Sequence, residues 1–125
     1  PPRMADSARL DELRRQFEEN PRRYFAPLAS ALRRAGDAGA AATLARTQLA
    51  AYPGHLTGHV ILGQALLDLG DADGARGAFE RAAELDGGNV VALQQLLTIA
   101  RATGDEQGVA HWTARLVEAD PELAA

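Results

Sequence analysis

The sequence predicts an all-α architecture of stacked helical hairpins, and three observations carry the prediction. The pairs Gly36-Asp37, Gly70-Asp71 and Gly104-Asp105 recur every 34 residues. In each pair glycine can take the left-handed conformation that closes one helix, and the aspartate carboxylate can accept the orphan N–H groups that open the next. Apolar residues at three- and four-residue spacing flank each pair, as Leu62 and Leu66 do upstream and Ala75, Phe79 and Ala82 downstream of Gly70, which is the period of one helix face. Small residues at Gly63, Ala75 and Ala82 let two antiparallel helices approach closely, while Leu62, Leu66 and Phe79 fill their seam.

Each element follows from local signals. Pro1 to Ala5 reads as a tail or linker remnant. Asp6 or Ser7 then caps a helix carrying Leu10, Leu13 and Phe17 that closes at Asn20-Pro21, so residues 6–20 are expected to form an N-terminal capping helix. The next helix carries Tyr24, Phe25, Leu28, Ala31 and Leu32. Pro27 should fall near its first turn, which places the start at about Arg22 to Tyr24. Its partner runs from Ala38 to about Ala51, with Leu44 and Leu49 as bulky anchors, and Tyr52-Pro53-Gly54 ends the unit. The second unit pairs Leu56 to Leu69 with Ala72 to Leu85. In the following turn, Asp86-Gly87-Gly88-Asn89, both glycines are expected in conformations that other residues resist. The third pairs Val90 to Ala102 with Glu106 to Ala119, and Val109, Trp112 and Leu116 should pack inward. Glu122 to Ala125 looks like the opening of another helix, which would leave an uncovered apolar face on the last hairpin. Three hairpins at about 22–55, 56–89 and 90–123 thus make one domain over 21–125.

The best-preserved unit, from His59 to Asn89, resembles the tetratricopeptide repeat, whose 34-residue pattern reads W-x2-L-G-x2-Y, A-x3-F and a late proline. His59 takes the Trp seat, Leu62 and Gly63 match, Leu66 stands for Tyr, Ala75 and Phe79 match, and Gly87 replaces the proline. The outer units are degenerate: Ala45 and Thr113 take the Phe seat and Leu97 the Gly seat. The resemblance implies a right-handed α-solenoid. It also implies a concave groove lined by the first helix of each hairpin. By register the groove holds Arg23, Ala26, Ser30, Arg33 and Arg34, then Thr57, Val60, Gln64, Leu67 and Asp68, then Val91, Gln94, Thr98, Arg101 and Ala102. Such a surface suits an extended peptide whose backbone bonds Gln64, Gln94 and Thr98 while an acidic side chain meets Arg33, Arg34 or Arg101. The lysine and asparagine clamp by which one well-known member holds the C-terminal carboxylate of chaperone tails is replaced here by Ala26, Ser30, Ile61, Val91 and Gln95, which argues against that ligand.

Composition bounds the function classes. Charged residues are 24% and apolar ones 46%, a balance that argues against disorder. All thirteen basic residues are arginine and alanine is abundant, a bacterial-like coding bias. With no cysteine there is no disulfide or thiolate metal site. No apolar run is long enough to span a bilayer, no signal peptide is visible, and the expected compartment is the cytoplasm. The opening Pro1-Pro2-Arg3-Met4 suits a piece excised from something longer. The net charge of −4 is uneven: eight arginines against five acids through Ala35 (+3), then five against twelve (−7).

No constellation for catalysis emerges, and no cofactor is implied. His55 and His59 stand four apart, as two metal ligands on one helix face would. The residue after the first is Leu56, however, where zinc proteases need glutamate, and His59 in the Trp seat reads as packing. The glycines follow no strand and no Gly-Lys-Ser or Gly-Lys-Thr occurs, and neither Ser7 nor Ser30 sits in a nucleophile elbow. Arg14, Arg15, Arg22, Arg23, Arg33 and Arg34 could face RNA, but the acidic balance and few aromatics oppose nucleic acid as a partner. The sequence therefore reads as a non-enzymatic module that binds a protein or peptide through Arg23, Ser30, Arg33, Arg34, Gln64, Asp68, Gln94, Thr98 and Arg101. Its alternative is a structural scaffold whose end face contacts another copy or flanking chain.

Overall fold

The computed structural model describes the backbone of residues 4–124 and the side chains of residues 7–123. Within them lie seven α-helices and no strand: α1 Met4–Glu19, α2 Pro21–Arg34, α3 Ala38–Ala51, α4 Leu56–Asp68, α5 Ala72–Leu85, α6 Val90–Thr103 and α7 Glu106–Ala119, followed by a 3-10 turn at Pro121–Ala124. Helices α2 and α3, α4 and α5, and α6 and α7 pair as antiparallel hairpins. Each hairpin stacks its first helix on the second helix of the one before, α4 on α3 and α6 on α5, while α1 covers α2. The result is the all-α helical-repeat solenoid expected. No described helix is long and apolar enough to cross a membrane.

The repeated Gly-Asp pairs do what their chemistry dictates. Gly36, Gly70 and Gly104 have φ of 90°, 80° and 71°, the only positive values among the described residues. In each case the N–H of the following aspartate reaches back to the carbonyl of Leu32, Leu66 or Ala100 at 2.9 Å, which satisfies an orphan carbonyl of the closing helix. The carboxylates of Asp37, Asp71 and Asp105 then accept the N–H of Ala40, Gly74 and Gly108 at 3.1, 2.9 and 2.9 Å. Asn20 and Asn89 cap α2 and α6 in the same way.

The core is one continuous seam of small and large residues. Phe25, Phe79, Leu93 and Leu96 are its largest fully buried side chains, and Ala41, Ala45, Ala65, Ala75, Ala82 and Ala92 close the gaps between helices. Helix α4 depends on glycine at two contacts. A Cβ on Gly63 would lie 2.6 Å from the Phe79 ring, and one on Gly58 2.7 Å from the Phe25 ring and 3.0 Å from Leu49. Both approaches are shorter than any methyl group tolerates.

Several local expectations are corrected. Helix α1 begins at Met4, so Met4 and Ala5 are helix and not tail, and Asp6 and Ser7 lie inside it; alanine and methionine are strong helix formers. Pro1 to Arg3 and Ala125 lie outside the described residues. Helix α2 starts at Pro21, and Pro27 is internal. Its missing N–H frees the Arg23 carbonyl, but both residues are exposed, so water can replace the bond. Gly87 and Gly88 carry no positive φ; an Asx turn through Asp86 Oδ1 (3.2 Å from the Gly88 N) shapes that loop instead. Trp112 is only half-buried, its edge on His111 and Arg115 lying over its ring at 5.8 Å. Leu116 is buried as expected, and Val109 packs half-buried against the core.

Candidate functional site

Several of the groove residues named from the sequence, Ser30 with Arg34, Arg33 with Asp68, and Gln94 with Thr98 and Arg101, lie in three local settings. At the first, α1 and α2 leave a cleft of about 310 Å³ between them, lined by Arg9, Leu10 and Leu13 on one side and by Pro27, Ser30, Ala31 and Arg34 on the other. Ser30 and Arg34 belong to it. Ala26, assigned to the groove by register, is buried.

The second place is the junction of α2 and α4, which touch directly. Arg33 Nε stands 2.8 Å from Asp68 Oδ2, without the alignment of a hydrogen bond, so the contact is Coulombic. Two residues expected to face a partner instead face one another. They lie one repeat plus one residue apart, so successive first helices bring them side by side. Arg33 is thereby neutralised, and of the three arginines expected to meet an acidic side chain only Arg34 and Arg101 make no ion pair with a described residue. Gln64 is half-buried on the same helix as Asp68, and Arg23 lies over the Tyr24 ring at 5.4 Å.

The third place is a depression of about 530 Å³ between α6, α7 and the 3-10 turn, where Gln94, Thr98 and Arg101 meet the apolar side chains of Leu97, Leu116 and Leu123. Thr98 donates its hydroxyl to the Gln94 carbonyl at 2.9 Å, so its proton is not free for a ligand. This is the end face expected to be uncovered. In the structure Leu97 and Leu116 are buried while Leu123 of the 3-10 turn is 50% exposed. Arg34 and Arg101 line different depressions.

The histidine pair has structural roles. The Gly58 N–H donates to His55 Nδ1 at 2.9 Å, which makes His55 the N-cap of α4, and its ring packs on Phe25 with centroids 4.5 Å apart. His59 Nε2 contacts the Pro53 carbonyl at 2.7 Å. Burial lowers the His55 pKa below the ordinary value of 6.5, with the nearby charges of Arg22 and His59 adding to the effect against its own backbone hydrogen bond. A neutral ring accepting at Nδ1 carries its proton on Nε2. Among the described residues no three histidine, aspartate or glutamate side chains converge as a metal site.

Sequence reasoning treated α1 as a cover and so missed Arg9, Leu10 and Leu13 as walls of a cleft. The available signal was α2 itself, which carries four arginines and no acid. Leu123 was missed because a short proline-led segment gives no periodicity to read.

No family model matches this sequence, and no curated protein does. Solved structures match in fold. A crystal structure of MamA superposes with a TM-score of 0.85 at 16% identity, covering 95% of this chain and 71% of that one. The structure of MamA MSR-1 C2 gives 0.78 at 20% identity, covering 98% and 71%, and a further MamA crystal structure gives 0.81 at 16%, covering 95% and 66%. At these identities the likeness is one of fold: the chain shares the helical-repeat architecture of the MamA structures over nearly its whole length.

Proposed function

We propose that the chain is a tetratricopeptide-type array of three repeats that serves as a non-enzymatic protein-interaction module, binding a peptide segment or partner protein along its first helices. The observation that carries this reading is the side-by-side placement of α2 and α4, across which Arg33 meets Asp68. A stack held at that angle presents Gln64, Gln94 and Arg101 from successive units to one partner without further ordering cost. The test is capture from the native cell's lysate, comparing the parent with a variant carrying Gln64→Ala, Gln94→Ala and Arg101→Glu. Matched circular dichroism shows that both are folded. A partner held by the parent and lost by the variant supports the reading; full retention refutes binding through these residues.

The exposed Leu123 beside the apolar-floored depression favours one second reading, a scaffold that stacks through its end face. Light scattering across concentration tests it, and a strict monomer at high concentration rejects it.

A further inference from the structure

We propose that the cleft between α1 and α2 is a docking site for an acidic–apolar peptide segment. In it a carboxylate meets Arg9 and Arg34, and a neighbouring bulky side chain rests on Leu10, Leu13 and Pro27. The proposal rests on the protein-interaction reading and names the partner's chemistry.

Charge complementarity points to the occupant. Helix α2 carries four arginines and no acid, and although α1 carries five acids beside its three arginines, none of them is among the described residues that line the cleft. Three of those arginines are engaged: Arg33 by Asp68, Arg22 over the Tyr52 ring at 5.9 Å and Arg23 over Tyr24 at 5.4 Å. Arg34 is the fourth, and Arg9 faces the same cleft from α1; neither forms an ion pair with a described side chain. Two guanidinium groups flanking one opening suit a carboxylate, which accepts their N–H donors in a charge-assisted pair.

The floor decides what accompanies the charge. Leu10 and Leu13 are buried beneath the opening, and Pro27 and Ala31 complete an apolar lining with the Ser30 hydroxyl at its edge. A volume of about 310 Å³ holds one or two large side chains and not a folded surface. Nucleic acid fits less well, because no aromatic ring lines the cleft for a base to stack on and the remaining chain would repel the backbone. Pro27 also gains a role here. Its ring adds apolar surface to the wall of the cleft.

The experiment is fluorescence anisotropy with a short fluorescein-labelled peptide of core Glu-Leu-Glu-Phe. It is compared with a Gln-Leu-Gln-Phe analogue, a Glu-Ser-Glu-Ser analogue and labelled oligouridine. The parent should bind the first peptide saturably. Binding should weaken about tenfold with either analogue and about tenfold in the Arg9→Gln, Arg34→Gln double variant. An Arg81→Gln variant on the exposed face of α5 should bind as the parent does. Both arginines of the double variant are exposed, and circular dichroism confirms its fold. Absence of saturable binding up to about 1 mM, equal binding by the double variant, or equal affinity for oligouridine overturns the proposal. Failure here alongside a lysate partner that depends on Gln64, Gln94 and Arg101 leaves the interaction module standing and removes only the cleft.

Discussion

Two glycines in adjacent helices predict opposite effects of one substitution. Alanine at Gly77 on the exposed face of α5 meets nothing within 4 Å, whereas alanine at Gly63 in α4 places its methyl 2.6, 2.7 and 2.8 Å from three carbons of the Phe79 ring. Replacing glycine by alanine in a helix contributes about 1 kcal/mol through reduced backbone freedom. That gain is all that happens at Gly77. At Gly63 the ring must retreat by roughly 0.8 Å to reach ordinary contact, and Phe79 is fully buried among Ala75, Ala82 and its neighbours, so overpacking costs about 1–3 kcal/mol. Gly77→Ala should therefore raise the melting temperature by roughly 2–5 °C, while Gly63→Ala should lower it by up to roughly 8 °C. Urea unfolding followed by circular dichroism reads both, with the denaturant slope checked because repeat arrays can lose two-state behaviour. Adding Phe79→Leu to Gly63→Ala removes the offending ring carbons, so the double variant should be more stable than the sum of the single effects by about 1 kcal/mol or more. A Gly63→Ala protein stabilised as much as Gly77→Ala would refute the reasoning that glycine sets the α4–α5 distance.

Protonating His55 removes the acceptor that caps α4 and puts a positive charge at the positive end of that helix. Its pKa is lowered by folding, so the unfolded chain binds the proton more readily. The stability it contributes is complete above 6.5 and is lost as pH falls through the lower folded value. Melting curves between about pH 7.5 and about pH 5 should show His55→Asn, which caps without titrating, losing less stability than the parent; parallel curves would dismiss the effect. A double-mutant cycle on Arg33→Ala and Asp68→Ala should return a coupling of only about 0.5 kcal/mol that fades with salt, since the pair is partly exposed. A coupling above about 2 kcal/mol would mean the junction is drier than its exposure indicates. Gly70→Ala should cost about 1–2 kcal/mol although a Cβ there meets open space, because φ is +80°; unchanged unfolding in urea would contradict that strain.

The sequence by itself determined the elements and their order. Helix ends are local chemistry: an aspartate or asparagine carboxyl or amide oxygen and a left-handed glycine act within three residues of their own position, so Gly36-Asp37, Gly70-Asp71 and Gly104-Asp105 could be read directly as hinges. The same is true of the buried stripe through Phe25, Phe79, Leu93 and Leu116, because periodicity shows which face is apolar. Where local signals competed, the reading slipped. Pro27 argued for a late start to α2, but Asn20 capping and burial of Phe25, Leu28 and Leu32 outweighed one lost hydrogen bond. Two adjacent glycines suggested unusual backbone at 87–88, where an ordinary turn through Asp86 suffices.

Only the tertiary structure decided which surface residues meet. Side chains on the exposed faces carry no periodic constraint, and their partners come from stacking distances that no single helix encodes. Thus Arg33 meets Asp68, the Thr98 hydroxyl meets its own helix, and Arg34 and Arg101 line different depressions. The cleft itself exists because α1 packs on α2 so that Arg9 and Arg34 line one opening above the buried Leu10 and Leu13. That is a matter of helix packing, set by the summed contacts of both helices and legible in neither one alone.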